Sequence, residues 1–99
     1  MDANLKAEWI TALRSGTYRQ GCGVLKNLAG EFCCLGVLCE IAKIPNDGTQ
    51  LLDEAGSTAG YDPLERYGVN NDHTNRLWRM NDCENKTFDD IADYIEQNL

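Results

Sequence analysis

The segment Cys34-Leu35-Gly36-Val37-Leu38-Cys39-Glu40-Ile41-Ala42 is apolar on nearly every side. A helix without a polar face must be enclosed by other elements. In a chain of 99 residues that requirement organises everything else. The run predicts a buried central helix over 34–43, ended near Ile44-Pro45 because the residue before a proline avoids the helical region. Gly36 inside it costs up to about 1 kcal/mol against alanine. The expected use of that glycine is close approach by a neighbouring element.

The flanking segments supply the wrapping. Asp2 is a good N-cap, and Leu5, Trp9, Ala12 and Leu13 recur at helical spacing. Arg14 suits the carbonyl end of that helix and Gly16 supplies a left-handed stop, which predicts a first helix over about 3–15. Val24-Leu25-Lys26 and Glu31-Phe32-Cys33 flank Asn27-Leu28-Ala29-Gly30, the pattern of a β-hairpin with a four-residue connection. Residues 45–61 form a long connection with three glycines and no base, in which Thr49 to Leu52 suggests a short strand. It reads first as a mobile surface loop, although stretches of this length are uncommon in compact domains and often functional. Asp62-Pro63 opens one short helical turn, and Asp72 is a candidate cap for a helix over about 73–81. Thr87-Phe88-Asp89-Asp90 resembles a capping box, and Phe88, Ile91, Ala92 and Ile95 follow on one face. The expected fold is therefore α+β: one small domain over 1–99 with an N-terminal helix, a β-hairpin, a buried central helix and C-terminal helices.

Charge is uneven. Residues 1–44 carry net +1 and residues 45–99 carry net −8, for −7 in all. An acidic chain repels nucleic acid at long range, so general DNA or RNA binding is disfavoured. Between Trp9 and Gly30, however, there is no Asp or Glu, while Arg14, Arg19 and Lys26 lie there. Distant charges are screened over about 8 Å, so local donors can still hold a small anion. No apolar run reaches the roughly 18 residues of a membrane span. The start lacks a basic stretch followed by an apolar one, so no signal peptide is expected.

The five cysteines, Cys22, Cys33, Cys34, Cys39 and Cys83, are odd in number and form no C-x-x-C pair. They read as reduced structural thiols rather than zinc ligands, and no metal or cofactor is expected. Catalytic signals are sparse. His73 is the sole histidine, nothing in the sequence brings it beside a thiol, and Gly21-Cys22-Gly23 is too short for a phosphate-loop signature.

Binding signals are better. Arg14, Ser15, Tyr18, Arg19 and Gln20 cluster after the first helix. Arginine offers a planar fork of donors suited to phosphate, and tyrosine offers a flat face for a base. Arg76, Trp78 and Arg79 form a second group able to stack and clamp. The alternatives are an ordinary polar loop for the first group and a core position for Trp78.

Trp9-x-x-Ala12-Leu13-Arg14-Ser15-Gly16-x-Tyr18-x-Gln20 resembles a family of small phage-encoded proteins of mostly unassigned role. The likeness continues in Phe32-Cys33-Cys34-Leu35-Gly36-Val37-Leu38-Cys39, in Met80-Asn81-Asp82 and in Phe88-x-x-Ile91-Ala92-x-x-Ile95. The resemblance implies a bacterial host cytoplasm. By analogy with small phage accessory proteins, it also implies a role against host defences. The leading expectation is a non-enzymatic anti-defence protein that sequesters a small anionic, nucleotide-type immune signal. Arg14, Ser15, Tyr18, Arg19, Gln20, Arg76, Trp78 and Arg79 are the expected ligand-binding residues. Pairing into a homo-oligomer would add core and pocket walls. The alternative is an inhibitor that docks on a host defence protein through its acidic C-terminal half; a nucleotide-cleaving enzyme ranks third.

Overall fold

A computed structural model describes residues 1–60 and 62–99. Four α-helices appear in it: α1 (Ala3–Arg14), α2 (Cys34–Ala42), α3 (Asn71–Asp82) and α4 (Phe88–Asn98), with a short 3-10 helix at Asp62–Tyr67 before α3. α2 is the hub. α1 packs on both α2 and α4, and α3 packs on α2 and α4. One apolar cluster runs through all of them, from Trp9 and Leu13 through Leu35, Val37 and Leu38 to Leu77, Ile91 and Ile95. Trp9 is fully buried, and its indole N–H donates to the Cys34 carbonyl at 3.0 Å. That bond satisfies the one polar atom of the largest core side chain.

The local signals at helix ends explain most of the boundaries. Asp2 accepts from the Leu5 N–H at 2.9 Å, and Gly16 takes φ +76° just past the end of α1. Thr87 and Asp90 form the reciprocal capping box expected of α4. One end differs from expectation: α3 is capped by Asn70, whose side chain accepts from the His73 N–H, so it starts before Asp72. α2 stops within a residue of the expected boundary, and Lys43 in the left-handed region, φ 55°, makes the stop ahead of Ile44-Pro45.

The β-hairpin does not form, and the fold is helical rather than α+β. Among the described residues there is no strand, only isolated bridges such as Lys26 with Phe32 and Gln20 with Phe32. The reason lies in where the backbone groups go. Phe32 spends its N–H on Arg19 and its C=O on Gly21, which turns it toward the 19–21 loop. Lys26 donates instead to Gly48, in the later connection. α2 then begins at Cys34 and leaves no length for a second strand. The turn itself survives: Gly30 donates to the Asn27 carbonyl, and Asn27 donates to Glu31. Thr49 to Leu52 is likewise no strand; Asn46 pairs with Leu51 and Leu52 with Thr58 as single bridges.

Gly36 has the use expected of it. A Cβ placed there would lie 2.7 Å from the carbonyl carbon of Leu25 and nearer still to its oxygen. The 24–26 segment thus rests its backbone directly on α2, at the residue whose N–H is capped by the Cys33 sulfur at 3.3 Å.

Candidate functional site

The eight candidate residues do not assemble into one clamp. Arg14 is exposed at the end of α1, but its guanidinium pairs with both Asp93 and Glu96 of α4. The hydrogen bond to Asp93 raises its pKa further. The Ser15 hydroxyl donates to the Ala12 carbonyl and accepts from Thr17. Tyr18 packs edge-on against Phe32, with ring centroids 5.2 Å apart. Arg19 donates to the Ala29 carbonyl at 2.7 Å and so braces the 27–30 turn. Arg76 pairs with Glu84. Trp78 is half-buried and reaches Asn75 at 3.3 Å. Arg79 is exposed, and its carbonyl accepts from Cys83 and Glu84.

Arg14, Tyr18 and Gln20 do share one open groove of about 280 Å³ with Thr87, Phe88 and Asp89. Arg19 does not line it, and neither does any of Arg76, Trp78 and Arg79. Trp78 instead borders a narrow cleft of about 30 Å³ with Cys33 and Asp82. The donors at the start of α4, on the groove's far wall, are largely taken: Phe88 N–H donates to the Gln20 side chain and Asp90 N–H to Thr87. An anion in this groove would have to draw Arg14 away from two carboxylates and then sit beside them.

Gln20 turns out to belong to a polar junction with Asn81. The Gln20 amide donates to Asn81 Oδ1 at 3.0 Å and to the Lys86 carbonyl at 2.7 Å, and accepts from Phe88 N–H at 3.1 Å. Asn81 is 5% exposed. It donates to the Gly21 carbonyl and to Asp82, and it accepts from the Cys34 N–H as well as from Gln20. Every donor of both amides is used, so the pair ties the 20–21 loop, the start of α2, the end of α3 and the start of α4 at one point. Asn81 was not a candidate site residue. The signal that marks it is the Met80-Asn81-Asp82 triplet.

Beside this junction lies a second groove of about 280 Å³, walled by Gln20, Gly21 and Cys22 on one side and by Asn81, Asn85, Lys86 and Thr87 on the other. Its described lining carries a lysine and no carboxylate. Four other grooves contrast with it, lined by Asp89, by Asp82, by Glu8, and by Asp53 with Glu54. Asn85, at φ 53°, turns the chain left-handed at its edge.

The core thiols are chemically quiet. Burial pushes Cys33 up to about 11, Cys39 up to about 12, and Cys34 well above the ordinary thiol range. The Cys34 thiol donates to the Leu77 carbonyl at 3.6 Å. Cys22 and Cys83 are exposed. Among the described residues no three His, Cys, Asp or Glu side chains converge as metal ligands, and no helix is long and apolar enough to cross a membrane. His73 meets the Tyr94 hydroxyl at 3.2 Å, a link between α3 and α4.

No curated protein and no solved structure matches the chain. The matched part of the family model ends before α3, so the Asn81 side of the junction and all of α4 lie beyond it. Residues 1–70, which carry α1, the 17–33 loop and α2, match the family described as Domain of unknown function (DUF8296), and the chain belongs to that family.

Proposed function

We propose that this is a non-enzymatic binding protein for a small anion of nucleotide type, and that the seat is the carboxylate-free groove beside the Gln20–Asn81 junction. The supporting observation is charge: in a chain of net −7, this groove is walled by Lys86, amides, a hydroxyl and glycine backbone, with no acid on its described lining. A phosphate there escapes the carboxylates that flank Arg14. Gln20 keeps its place in the reading, but as a wall braced by three hydrogen bonds. Arg14, Arg19 and Arg76 give way to Lys86.

The resemblance to small phage proteins supports the finer version, in which the protein acts in a bacterial host cytoplasm and withholds an immune nucleotide. The test is a thermal-shift titration with cyclic dinucleotides, ADP-ribose and inorganic phosphate. A ligand at a hundred times its Kd stabilises by about 2.7 kcal/mol. The expected result is a shift with at least one nucleotide that is lost in Lys86→Ala. No shift with any of them, or a shift indifferent to Lys86→Ala, would refute the assignment.

One observation favours a second reading, an inhibitor docking on a basic protein surface. The outer face of α4 exposes Asp89, Asp90, Asp93 and Glu96, opposite the buried Phe88, Ile91, Ala92 and Ile95. A complex of that kind weakens with salt, so pull-down from host lysate at low and high ionic strength separates it from nucleotide binding.

A further inference from the structure

The 45–61 connection is built rather than loose in its described part, and it borders a cleft against the 3-10 helix. Leu51 is buried and anchors it to the core. Leu52 N–H donates to the Pro45 carbonyl at 2.9 Å, and Ala59 N–H to the Leu51 carbonyl at 3.0 Å. Asp53 uses one carboxylate oxygen to hold the Ala55 and Ser57 N–H groups, which fixes the turn between them. The cleft between this turn and the 3-10 helix has a volume of about 410 Å³. That falls inside the range of about 300–1,000 Å³ common for small-molecule sites.

Its chemistry is specific. The floor is apolar, with Ile44, Pro45, Leu52 and Tyr67; the rim carries Asp53, Glu54 and Arg66. Carboxylates therefore outnumber the guanidinium among its described lining. Arg66 meets Glu54 only at 3.5 Å, and both side chains are largely exposed, at 73% and 91%. An ion pair so exposed contributes little, so an incoming group displaces it at small cost.

We infer that this cleft receives a cation carried on an apolar stem, the arginine side chain being the type. The methylenes would lie along the apolar floor, as long cationic side chains do on apolar surface. The guanidinium would replace Arg66 against Glu54, with Asp53 beside it and Tyr67 as an aromatic wall. The same chemistry serves a free guanidinium compound and an arginine on a partner protein. This inference rests on the cleft alone and is independent of the anion groove.

The experiment is an NMR titration of the full chain at low salt with acetyl-arginine amide, with acetyl-norleucine amide as the uncharged match, and with an arginine-bearing peptide. The arginine probe is expected to move the backbone signals of Leu52, Ala59 and Tyr67 saturably, while norleucine leaves them in place. Glu54→Gln, at an exposed position that threatens no core, is expected to weaken the arginine probe by about threefold. Tighter binding of the peptide than of the amide identifies a protein-borne arginine; equal binding identifies a free ligand. Absence of shifts at the cleft, an equal response to norleucine, or unchanged affinity in Glu54→Gln overturns the inference. Phosphate binding is read at Gly21 and Lys86 instead, so the two sites stand or fall separately.

Discussion

Gly36→Ala is the sharpest test of how the helix core is closed. Considered alone, the change should help, because alanine in a helix interior is favoured over glycine by about 1 kcal/mol. Gly36 also sits in no left-handed conformation that would penalise a side chain. The opposing term is steric. The new Cβ would stand 2.7 Å from the Leu25 carbonyl carbon and 3.2 Å from its Cα, where ordinary contact begins near 3.4 Å. Both obstacles are backbone, so no rotamer change relieves them. Either the 24–26 segment or the first turn of α2 must move by roughly 1 Å, and overpacking of this kind costs about 1–3 kcal/mol. The Leu25 carbonyl also accepts from Cys33 N–H at 3.2 Å, and loss of that bond adds about 1 kcal/mol. The net expectation is a loss of about 2 kcal/mol, equivalent to a fall in Tm of roughly 10 °C for a domain of this size. Urea and thermal unfolding followed by circular dichroism measure it. Gly16→Ala is the companion variant, since its φ is +76° and a Cβ there meets nothing within 4 Å. It should cost only the conformational strain of about 1–2 kcal/mol. A Gly36→Ala protein as stable as the parent would show that the segment does not press on the helix, and the reasoning would fail.

Asn81→Ala should destabilise by about 2–4 kcal/mol in urea unfolding, because the Cys34 N–H and the Gly21 carbonyl lose their partner inside the fold; a loss under about 1 kcal/mol would mean water replaces the amide freely. Thr74 carries a buried hydroxyl without a hydrogen-bond partner among the described residues, so Thr74→Val should be neutral or stabilise by up to about 1 kcal/mol, and a clear drop in Tm would reveal a partner for that oxygen. A thiol reagent at neutral pH should label Cys22 and Cys83 in the folded protein and all five cysteines after unfolding, and rapid native labelling of Cys33 or Cys39 would contradict their burial. The same burial sets an alkaline limit: Cys33 and Cys39 hold their protons to about 11 and about 12 when folded, against 9.0 ordinarily. The unfolded chain binds fewer protons above pH 9.0, so stability should be full below that pH and fall by up to about 1.4 kcal/mol per pH unit for each thiol until the folded groups titrate. A flat stability between pH 9 and 11 would contradict it.

The nearly all-apolar run at Cys34–Ala42, the caps at Asp2 and Thr87, and the apolar spacing of Phe88, Ile91, Ala92 and Ile95 were legible in the sequence because each is a short-range relation between neighbours. The same holds for Gly36, whose cost in a helix implied a tight approach before the approaching segment was known. What neighbours could not reveal was the allocation of backbone hydrogen bonds over distance. Val24–Lys26 and Glu31–Cys33 carry a hairpin pattern, yet Phe32 is claimed by Arg19 and Gly21, and Lys26 by Gly48, so the ladder is lost to partners elsewhere in the chain. Arginines suffer the same ambiguity: Arg14 and Arg76 look available for phosphate until Asp93, Glu96 and Glu84 come alongside. Local periodicity determines which segments become helices and which faces they bury. Only the folded chain decides which charges neutralise one another and which wall is left free of carboxylates, because those outcomes depend on side chains 8 to 82 residues apart meeting in space.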